Sequence, residues 1–264
     1  MSSEAHTARP AGLIAQLRLL LMAVQYFTRL PMPSWVGHSA EQLNGTARYF
    51  SAVGVLVGSI GALALWATSL VLPAPLPAIL STAITVLFTG AFHEDGLADT
   101  FDGLGGGATR ERALEIMKDS RLGTFGSAAL VFTLLIKIAA LNALPIAVAV
   151  VVLIAGHAFS RACAIMLLFV GSHVGNQEQS RARVVAQTMS GGEFALAAVI
   201  GVVPLYWCGL HAVAGIVSAL IVLYVLGRWF MRRLGGFTGD TLGAAQQLTE
   251  IAFYLAIVAS WNSF

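Results

Sequence analysis

The chain alternates long apolar runs with short polar segments. A membrane-spanning helix needs about 20 mostly apolar residues, because the hydrocarbon layer is about 30 Å thick and each helical residue rises about 1.5 Å. Seven runs come near this length: Phe50–Leu72, Leu76–Phe92, Gly126–Leu144, Pro145–Val170, Phe194–Gly209, Leu210–Arg228 and Gly243–Trp261. An eighth run, Leu13–Leu30, contains Arg18 and Gln25 and is equally compatible with a helix in the membrane interface. The pattern predicts an all-α, polytopic transmembrane helix bundle of about seven or eight helices.

Composition agrees with lipid as the main solvent. Hydrophobic residues make up 57% of the chain and charged residues only 11%, whereas soluble proteins carry about 25% charged residues. The net charge of +2 and the scattered basic residues exclude a nucleic-acid-binding surface. Cys163 and Cys208 lie in apolar runs without Cys/His spacing, so we expect neither a zinc site nor a disulfide. We expect no cleaved signal peptide and a single membrane domain, residues 1–264.

The basic residues predict the orientation of the bundle. If the helices alternate, ten Lys and Arg residues fall on one side, and the tight turns on the other side hold none. Cytoplasmic loops of membrane proteins carry the excess of basic residues. The side predicted to be cytoplasmic therefore comprises the segments Pro31–Tyr49, His93–Phe125, Gly171–Glu193 and Arg228–Leu242.

Acidic residues concentrate in one of these segments, which holds seven of the 13 in the chain, between Glu94 and Asp119. Asp95, Asp99 and Asp102 are spaced so that a helix places all three carboxylates on one face. A divalent cation would relieve their repulsion, and oxygen ligands favour Mg²⁺, Mn²⁺ or Ca²⁺. Glu94 is a further candidate ligand. The alternative is a solvated helix end, which we disfavour because so few charges occur elsewhere.

A second charged motif follows shortly before an apolar run. Lys118 and Arg121 can neutralise phosphate oxygens, and arginine can do so with two parallel hydrogen bonds. Asp119 between them is a candidate metal ligand or general base. Anchoring of a helix end in the membrane interface explains the two cations but not the aspartate.

Other polar residues leave two interpretations open. Gly105, Gly106 and Gly107 indicate either a flexible loop whose N–H groups approach phosphates or a plain turn. Asp240 or Thr241 can cap the last helix, or the segment around them can close the active site from the other end of the chain. Three ionisable residues inside predicted spans can line a substrate cavity or pair with a neighbouring carboxylate, and His93 can transfer protons or simply pack; the three are Lys137, His157 and Arg161.

Four segments together resemble the adenosylcobinamide-GDP ribazoletransferase (cobalamin 5′-phosphate synthase) family, from about residue 19 to the end of the chain. Each motif alone is weak, but four in the same order are specific. They are His93–Gly107 (HEDGLADTFDGLGGG), Met117–Gly126 (MKDSRLGTFG), Phe27–Pro33 (FTRLPMP) and Gly235–Ala244 (GGFTGDTLGA).

The resemblance implies that adenosylcobinamide-GDP and α-ribazole, or α-ribazole 5′-phosphate, are the substrates. The ribose 3′-hydroxyl attacks the cobinamide-linked phosphate, and GMP leaves. It also implies a Mg²⁺ requirement and a location in the bacterial inner membrane, while a homo-oligomer stays open. We therefore assign Asp95, Asp99, Asp102 and Glu94 to the metal, Asp99 and Asp119 to catalysis, and Lys118, Arg121, Gly105, Gly106 and Asp240 to substrate binding.

Two alternatives are retained. The acidic motif also resembles that of the CDP-alcohol phosphotransferases, but Asp99 stands where that family has an arginine. An ion-coupled transporter would place its carboxylates near the middle of the membrane. The carboxylates here lie at a predicted boundary with water, which favours an enzyme.

Overall fold

The computed structural model of the chain describes residues 12–37, 45–174 and 189–263. Within these ranges the backbone is almost entirely helical and contains no β-strand, which confirms the predicted all-α class. The α-helices are α1 Leu13–Phe27, α2 Phe50–Ser69, α3 Leu76–Thr89, α4 Phe92–Gly106, α5 Arg110–Ile116, α6 Thr124–Asn142, α7 Ile146–Val170, α8 Gly191–Val202, α9 His211–Leu234 and α10 Gly239–Trp261.

Six helical stretches in the described residues are long and apolar enough to cross a membrane, and a bent pair of helices raises the number to seven. The chain is therefore a multi-pass membrane protein, as the apolar runs predict. Two stretches include short 3₁₀ segments, at Thr46–Tyr49 before α2 and at Val203–Cys208 after α8. The six are Thr46–Ser69, Thr124–Asn142, Ile146–Val170, Gly191–Cys208, His211–Leu234 and Gly239–Trp261.

The apolar run Leu76–Phe92 does not form one straight span. Helix α3 has 14 residues and is therefore about 21 Å long, too short for the hydrocarbon layer. Gly90 and Ala91 adopt left-handed backbone angles, with φ of 67° and 59°, and α4 leaves the turn at 88° to α3. The acidic segment therefore starts a new helix instead of extending the apolar one. Helix α1, with 15 residues, is also short.

Helices α7 and α10 form the centre of the bundle. Helix α2 packs along α7, and α9 packs along α10. Helix α4 contacts the first half of α10, and α6 lies against both of them. Exposed apolar side chains on the outer helices face lipid, among them Phe132 and Leu135 on α6 and Ile221 and Tyr224 on α9. This packing places the acidic helix between two spans.

Candidate active site

The predicted acidic residues occupy a single helix, α4, but in three different environments. The side chain of Asp95 is exposed, that of Asp99 is half-buried and that of Asp102 is buried. Glu94 is also buried, with 7% of its surface exposed. The predicted common helix is confirmed, and the structure divides the four carboxylates between separate roles.

A close crossing of α4 and α10 brings Asp240 to the acidic helix. A methyl group at Gly96 would lie 2.9 Å from the Asp240 carbonyl oxygen, and one at Gly243 would lie 3.2 Å from the His93 carbonyl oxygen. Only glycine leaves room for backbones this near to each other. The backbone at Asp240 therefore lies against the acidic helix, the position required if this segment closes the site from the other end of the chain.

The predicted capping role at the start of α10 is confirmed for Thr241, which acts together with Thr238. The Thr238 hydroxyl accepts a hydrogen bond from the Thr241 N–H, and the Thr241 hydroxyl accepts one from the Thr238 N–H. This reciprocal capping box satisfies two N–H groups at the helix start. Asp240 stays free of the capping role and lies in the first turn, where the helix dipole favours a negative charge.

Asp95, Asp99 and Asp240 form an acidic cluster. The charges of Asp240, Asp95 and Asp102 all act on Asp99, and that of Asp95 acts on Asp240. Among the described residues, none donates a hydrogen bond to the side chain of Asp95 or Asp99, and neither forms an ion pair there. The donors are carboxylate oxygens without an internal cation, which is the chemistry that fits a hard divalent ion.

The metal ligands predicted from the sequence remain a prediction. In the described ranges no three His, Cys, Asp or Glu side chains converge as a ready-made metal site. Mg²⁺ commonly uses one or two carboxylates and completes its shell with water and substrate phosphates. The acidic cluster suits that mode of binding better than an all-protein cage.

Asp102 has a structural task at the start of α6. Its carboxylate accepts hydrogen bonds from the N–H groups of Gly123 and Gly126, at 2.7 and 2.8 Å. A carboxylate in this place satisfies N–H groups of the first turn and is stabilised by the helix dipole. Asp102 therefore joins the acidic helix to α6, a role that the sequence analysis did not assign.

Glu94 faces away from the acidic cluster into the bundle. Its Oε1 accepts a hydrogen bond of 2.9 Å from Gln247 on α10, and its Oε2 is buried without a partner among the described residues. The Gln247 carbonyl in turn accepts from Lys137 on α6, at 3.2 Å. The structure thus separates Glu94 from the other predicted metal ligands.

The intramembrane ionisable residues pair around one carboxylate, Glu250 on α10. Lys137 Nζ lies 2.8 Å from Glu250 Oε1, and His157 Nδ1 lies 3.2 Å from Oε2. The Tyr254 hydroxyl donates to Oε1 at 3.0 Å. Arg161 contacts the His157 ring at 3.3 Å. Pairing with a carboxylate is therefore confirmed for Lys137 and His157, whereas Arg161 forms no ion pair among the described residues. The sequence analysis missed Glu250, although a lone glutamate inside an apolar span is itself a signal.

Asp119 and Arg121 form an exposed ion pair outside the acidic cluster. Arg121 Nε and Nη2 donate to the Asp119 carboxylate, at 3.0 and 2.5 Å from Oδ2. These hydrogen bonds lower the pKa of Asp119 to about 2, so in this arrangement its carboxylate is a weak base. Arg121 is 88% exposed, and Lys118 is exposed as well. Both cations face water, where a phosphate group can reach them.

The triple-glycine segment is more ordered than a flexible loop. Gly105 and Gly106 belong to the last turn of α4, and Gly107 ends the helix. Arg233 from the end of α9 donates to the Gly107 carbonyl oxygen at 2.6 Å. The expectation of a flexible loop is therefore wrong at Gly105 and Gly106, while their contact with substrate phosphate stays a prediction.

Known proteins resemble this chain along nearly its whole length. The family model described as cobalamin-5-phosphate synthase matches residues 19–258. Relatives named adenosylcobinamide-GDP ribazoletransferase include one from Shewanella frigidimarina, 44% identical over 93% of this chain and 96% of its own. One from Leptothrix cholodnii is 45% identical over 94% and 98%, and one from Vibrio parahaemolyticus is 40% identical over 99% of each chain. No solved structure matches the chain.

The junction of Asp102 with α6 can be tested by Gly126→Ala. The added methyl group would overlap the Asp102 carboxylate and lie 2.8 Å from the Ala98 carbonyl oxygen. We expect a loss of about 1–3 kcal/mol, as for overpacked cores, and a lower thermal midpoint in detergent together with reduced activity.

Gly192→Ala is the matched control, because nothing lies within 4 Å of a methyl group there. It should leave the midpoint unchanged or raise it slightly. If Gly126→Ala unfolds at the same temperature as the control, the Asp102 cap does not hold α6 in place.

Proposed function

This chain belongs to the cobalamin-5-phosphate synthase family, and on that premise we propose that its acidic cluster is the catalytic site. There the cobinamide phosphate of adenosylcobinamide-GDP is transferred to α-ribazole or α-ribazole 5′-phosphate, and GMP is released. The observation that carries the proposal is the meeting of Asp95 and Asp99 with Asp240 at the α4–α10 crossing. Membership already makes the protein an enzyme of cobalamin synthesis.

Asp95, Asp99 and Asp240 are the residues that would hold Mg²⁺. When bound, the ion neutralises charge on the pyrophosphate and on the leaving GMP. No described residue forms an ion pair with Asp95 or Asp99 or donates a hydrogen bond to their side chains, and this supports the assignment, because a hard cation can then take those oxygens. Asp102 and Glu94 contribute less to metal binding, since their oxygens serve α6 and Gln247.

The attacking ribose hydroxyl must lose a proton as its oxygen bonds to phosphorus and the bond to the GMP oxygen breaks. We assign Asp99 as the acceptor for that proton, because it is half-buried and has two carboxylate oxygens, of which one can contact the ion and the other the hydroxyl. Asp119 is held by Arg121. Lys118 and Arg121 bind phosphate oxygens from the water-facing side, and Arg121 then exchanges Asp119 for the substrate.

The active site faces the cytoplasm of a bacterial inner membrane in this proposal. The segment between α4 and α6 carries Arg110, Arg112, Lys118 and Arg121, while the turn between α2 and α3 carries no basic residue. The excess of Lys and Arg on one side supports this orientation. The lipid bilayer surrounds the six long apolar helices.

Removing the charge of single carboxylates tests the metal assignment. We expect Asp95→Asn and Asp99→Asn each to lower turnover by at least about 100-fold, or about 2.7 kcal/mol, because charge stabilisation of the transition state is lost. GMP release by purified enzyme is measured over a range of Mg²⁺ concentrations. Asp102→Asn should lower thermal stability as well as turnover.

Glu111→Gln is the control, since Glu111 is an exposed acid on α5. It should retain wild-type turnover at every Mg²⁺ concentration. Wild-type rates in both Asp95→Asn and Asp99→Asn would refute the acidic cluster as the metal site.

The phosphate-binding role of Arg121 can be separated from simple anchoring by Arg121→Lys. A lysine keeps the charge but loses the planar pair of donors, so we expect turnover to fall at least about tenfold, or about 1.4 kcal/mol. Arg112→Lys is the matched control, because Arg112 is an exposed arginine that pairs only with Glu115 among the described residues. If both variants release GMP at the wild-type rate, Arg121 only anchors the end of its helix in the membrane interface.

Orientation is tested with two alanine-to-cysteine variants at exposed positions. Ala108→Cys, beside the end of α4, should react with a membrane-impermeant maleimide only in inside-out vesicles, and Ala74→Cys, between α2 and α3, only in intact spheroplasts. Cys163 and Cys208 are buried and provide little background. Labelling of Ala108→Cys from outside would place the active site on the opposite face. Most of another segment predicted to be cytoplasmic, Gly171–Glu193, lies outside the described residues.

A further inference from the structure

An aromatic cavity lies directly beside the acidic cluster. Phe27 at the end of α1 is its centre: its ring meets those of Phe50 and Phe92 edge-on, with centroids 4.3 and 5.2 Å away, and stacks on His93 at 5.4 Å. Tyr26 continues the same wall. The cavity offers about 60 Å³ to the centres of water-sized molecules, several times the roughly 10–15 Å³ that one water needs. It is therefore larger than a packing defect.

The lining connects the cavity to the reacting groups. Gly239, Leu242 and Gly243 line it from the first turns of α10, and Asp240 lies between them in the chain. Phe92 lies on the same helical face as Asp95 and Asp99, because the spacings of three and seven residues bring these positions together. The cavity therefore lies within about one helical turn of Asp240 along α10 and of Asp95 along α4.

The lining is mostly apolar and contains the cation Arg161 on α7, together with His93 on α4 and Gln246 on α10. It is 3% exposed, and its Nη1 donates to the His157 carbonyl oxygen at 2.9 Å. Its Nε–H is buried and has no acceptor among the described residues. The side-chain amide of Gln246, which also lines the cavity, already donates hydrogen bonds to Ser160 and Glu250. A buried donor without a partner is costly, so it indicates a ligand that brings an acceptor.

We propose that this cavity binds the base of the ribazole acceptor, an inference that rests on the proposed function. A benzimidazole is flat and apolar, and apart from the glycosylated nitrogen it carries a single ring nitrogen that accepts one hydrogen bond. The aromatic wall stacks on the ring, Arg161 donates to the free nitrogen, and the ribose reaches the acidic cluster. Phe27, His93 and Arg161 are thus specificity-determining residues for the acceptor.

Other occupants fit the lining less well. A guanine base presents several donors and acceptors, and the described lining has only the Arg161 Nε–H and the His93 ring left to meet them. A lipid acyl chain suits the aromatic wall but leaves the Arg161 donor unpaired. The combination of aromatic rings with one buried cation favours a flat base with one acceptor.

Filling the cavity is the first test. Ala164 lines it from α7, and we expect Ala164→Leu to raise the Kd and KM for α-ribazole at least about tenfold while the KM for adenosylcobinamide-GDP changes less than about twofold. Ala195→Leu is the matched control on the exposed face of α8. Unchanged binding of α-ribazole to Ala164→Leu would overturn the inference and leave an acyl chain as the occupant.

The Kd is measured directly, by calorimetry with α-ribazole alone, so that the two proposals fail separately. Weaker binding of α-ribazole by Ala164→Leu supports the assignment of the cavity to the ribazole base, even if the enzyme releases no GMP. Normal GMP release with an unchanged Kd and KM retains the proposed function and refutes the cavity.

The second test addresses the hydrogen bond of Arg161. In the indole ribonucleoside, carbon replaces the free ring nitrogen of the base. The wild type should bind α-ribazole at least about tenfold tighter than this analogue, and Arg161→Met should reduce the preference to less than about twofold. Equal affinity of the wild type for the two nucleosides would overturn the assignment of Arg161. The comparison of the two nucleosides in the wild type needs no variant, so it remains a test even if Arg161→Met does not fold.

Discussion

The contact between α4 and the first half of α10 is the constraint on which the site depends. It joins carboxylates that are far apart in the chain, Asp95 and Asp99 on one helix and Asp240 on the other, and it does so through backbones that touch at Gly96. Larger residues there would separate the helices by the width of a side chain. The acidic cluster consequently has a defined geometry although it concentrates like charges, and the repulsion within it is available to be relieved by a bound cation.

The buried charges around Glu250 inside the bundle are paired, in contrast to the carboxylates of the acidic cluster. Glu250, completely buried, is contacted by Lys137, His157, Gln246 and Tyr254. A buried ion pair adds little net stability, but removing one partner leaves a costly uncompensated charge. The network therefore specifies how α6, α7 and α10 fit together, and Glu94 with Gln247 extends it to α4. By contrast, Asp95 and Asp99 form no ion pair with any described residue, which leaves their oxygens accessible to a cation from outside the chain.

Much of this arrangement was predictable from local patterns. Apolar length gave the spans, and the spacing of Asp95, Asp99 and Asp102 gave a common helix. The bend after Thr89 was not predicted, because the apolar run continues to Phe92 and only the backbone angles at Gly90 and Ala91 show the turn. The division of labour between carboxylates also escaped prediction. Whether Asp102 caps α6 or Glu94 meets Gln247 depends on which helix packs nearby, and such tertiary contacts leave no mark in a single motif. Glu250 is different, since its position in an apolar span was visible and overlooked.

The depth of each group fits a reaction between unlike substrates at a membrane boundary. Exposure decreases along α4 from Asp95 to Asp99 to Asp102, so under the proposed function a hydrated cation approaching from water would meet the most accessible carboxylate first and could keep several of its waters. Arg121 and Lys118 lie in water, where a pyrophosphate is soluble, whereas the aromatic cavity is apolar and opens beside Asp240. A nucleoside with an apolar base and a nucleotide with many charges would therefore reach the same three carboxylates from environments that suit each of them. The bend of 88° between α3 and α4 contributes to this arrangement, because it turns the acidic helix out of the line of α3 and against α10.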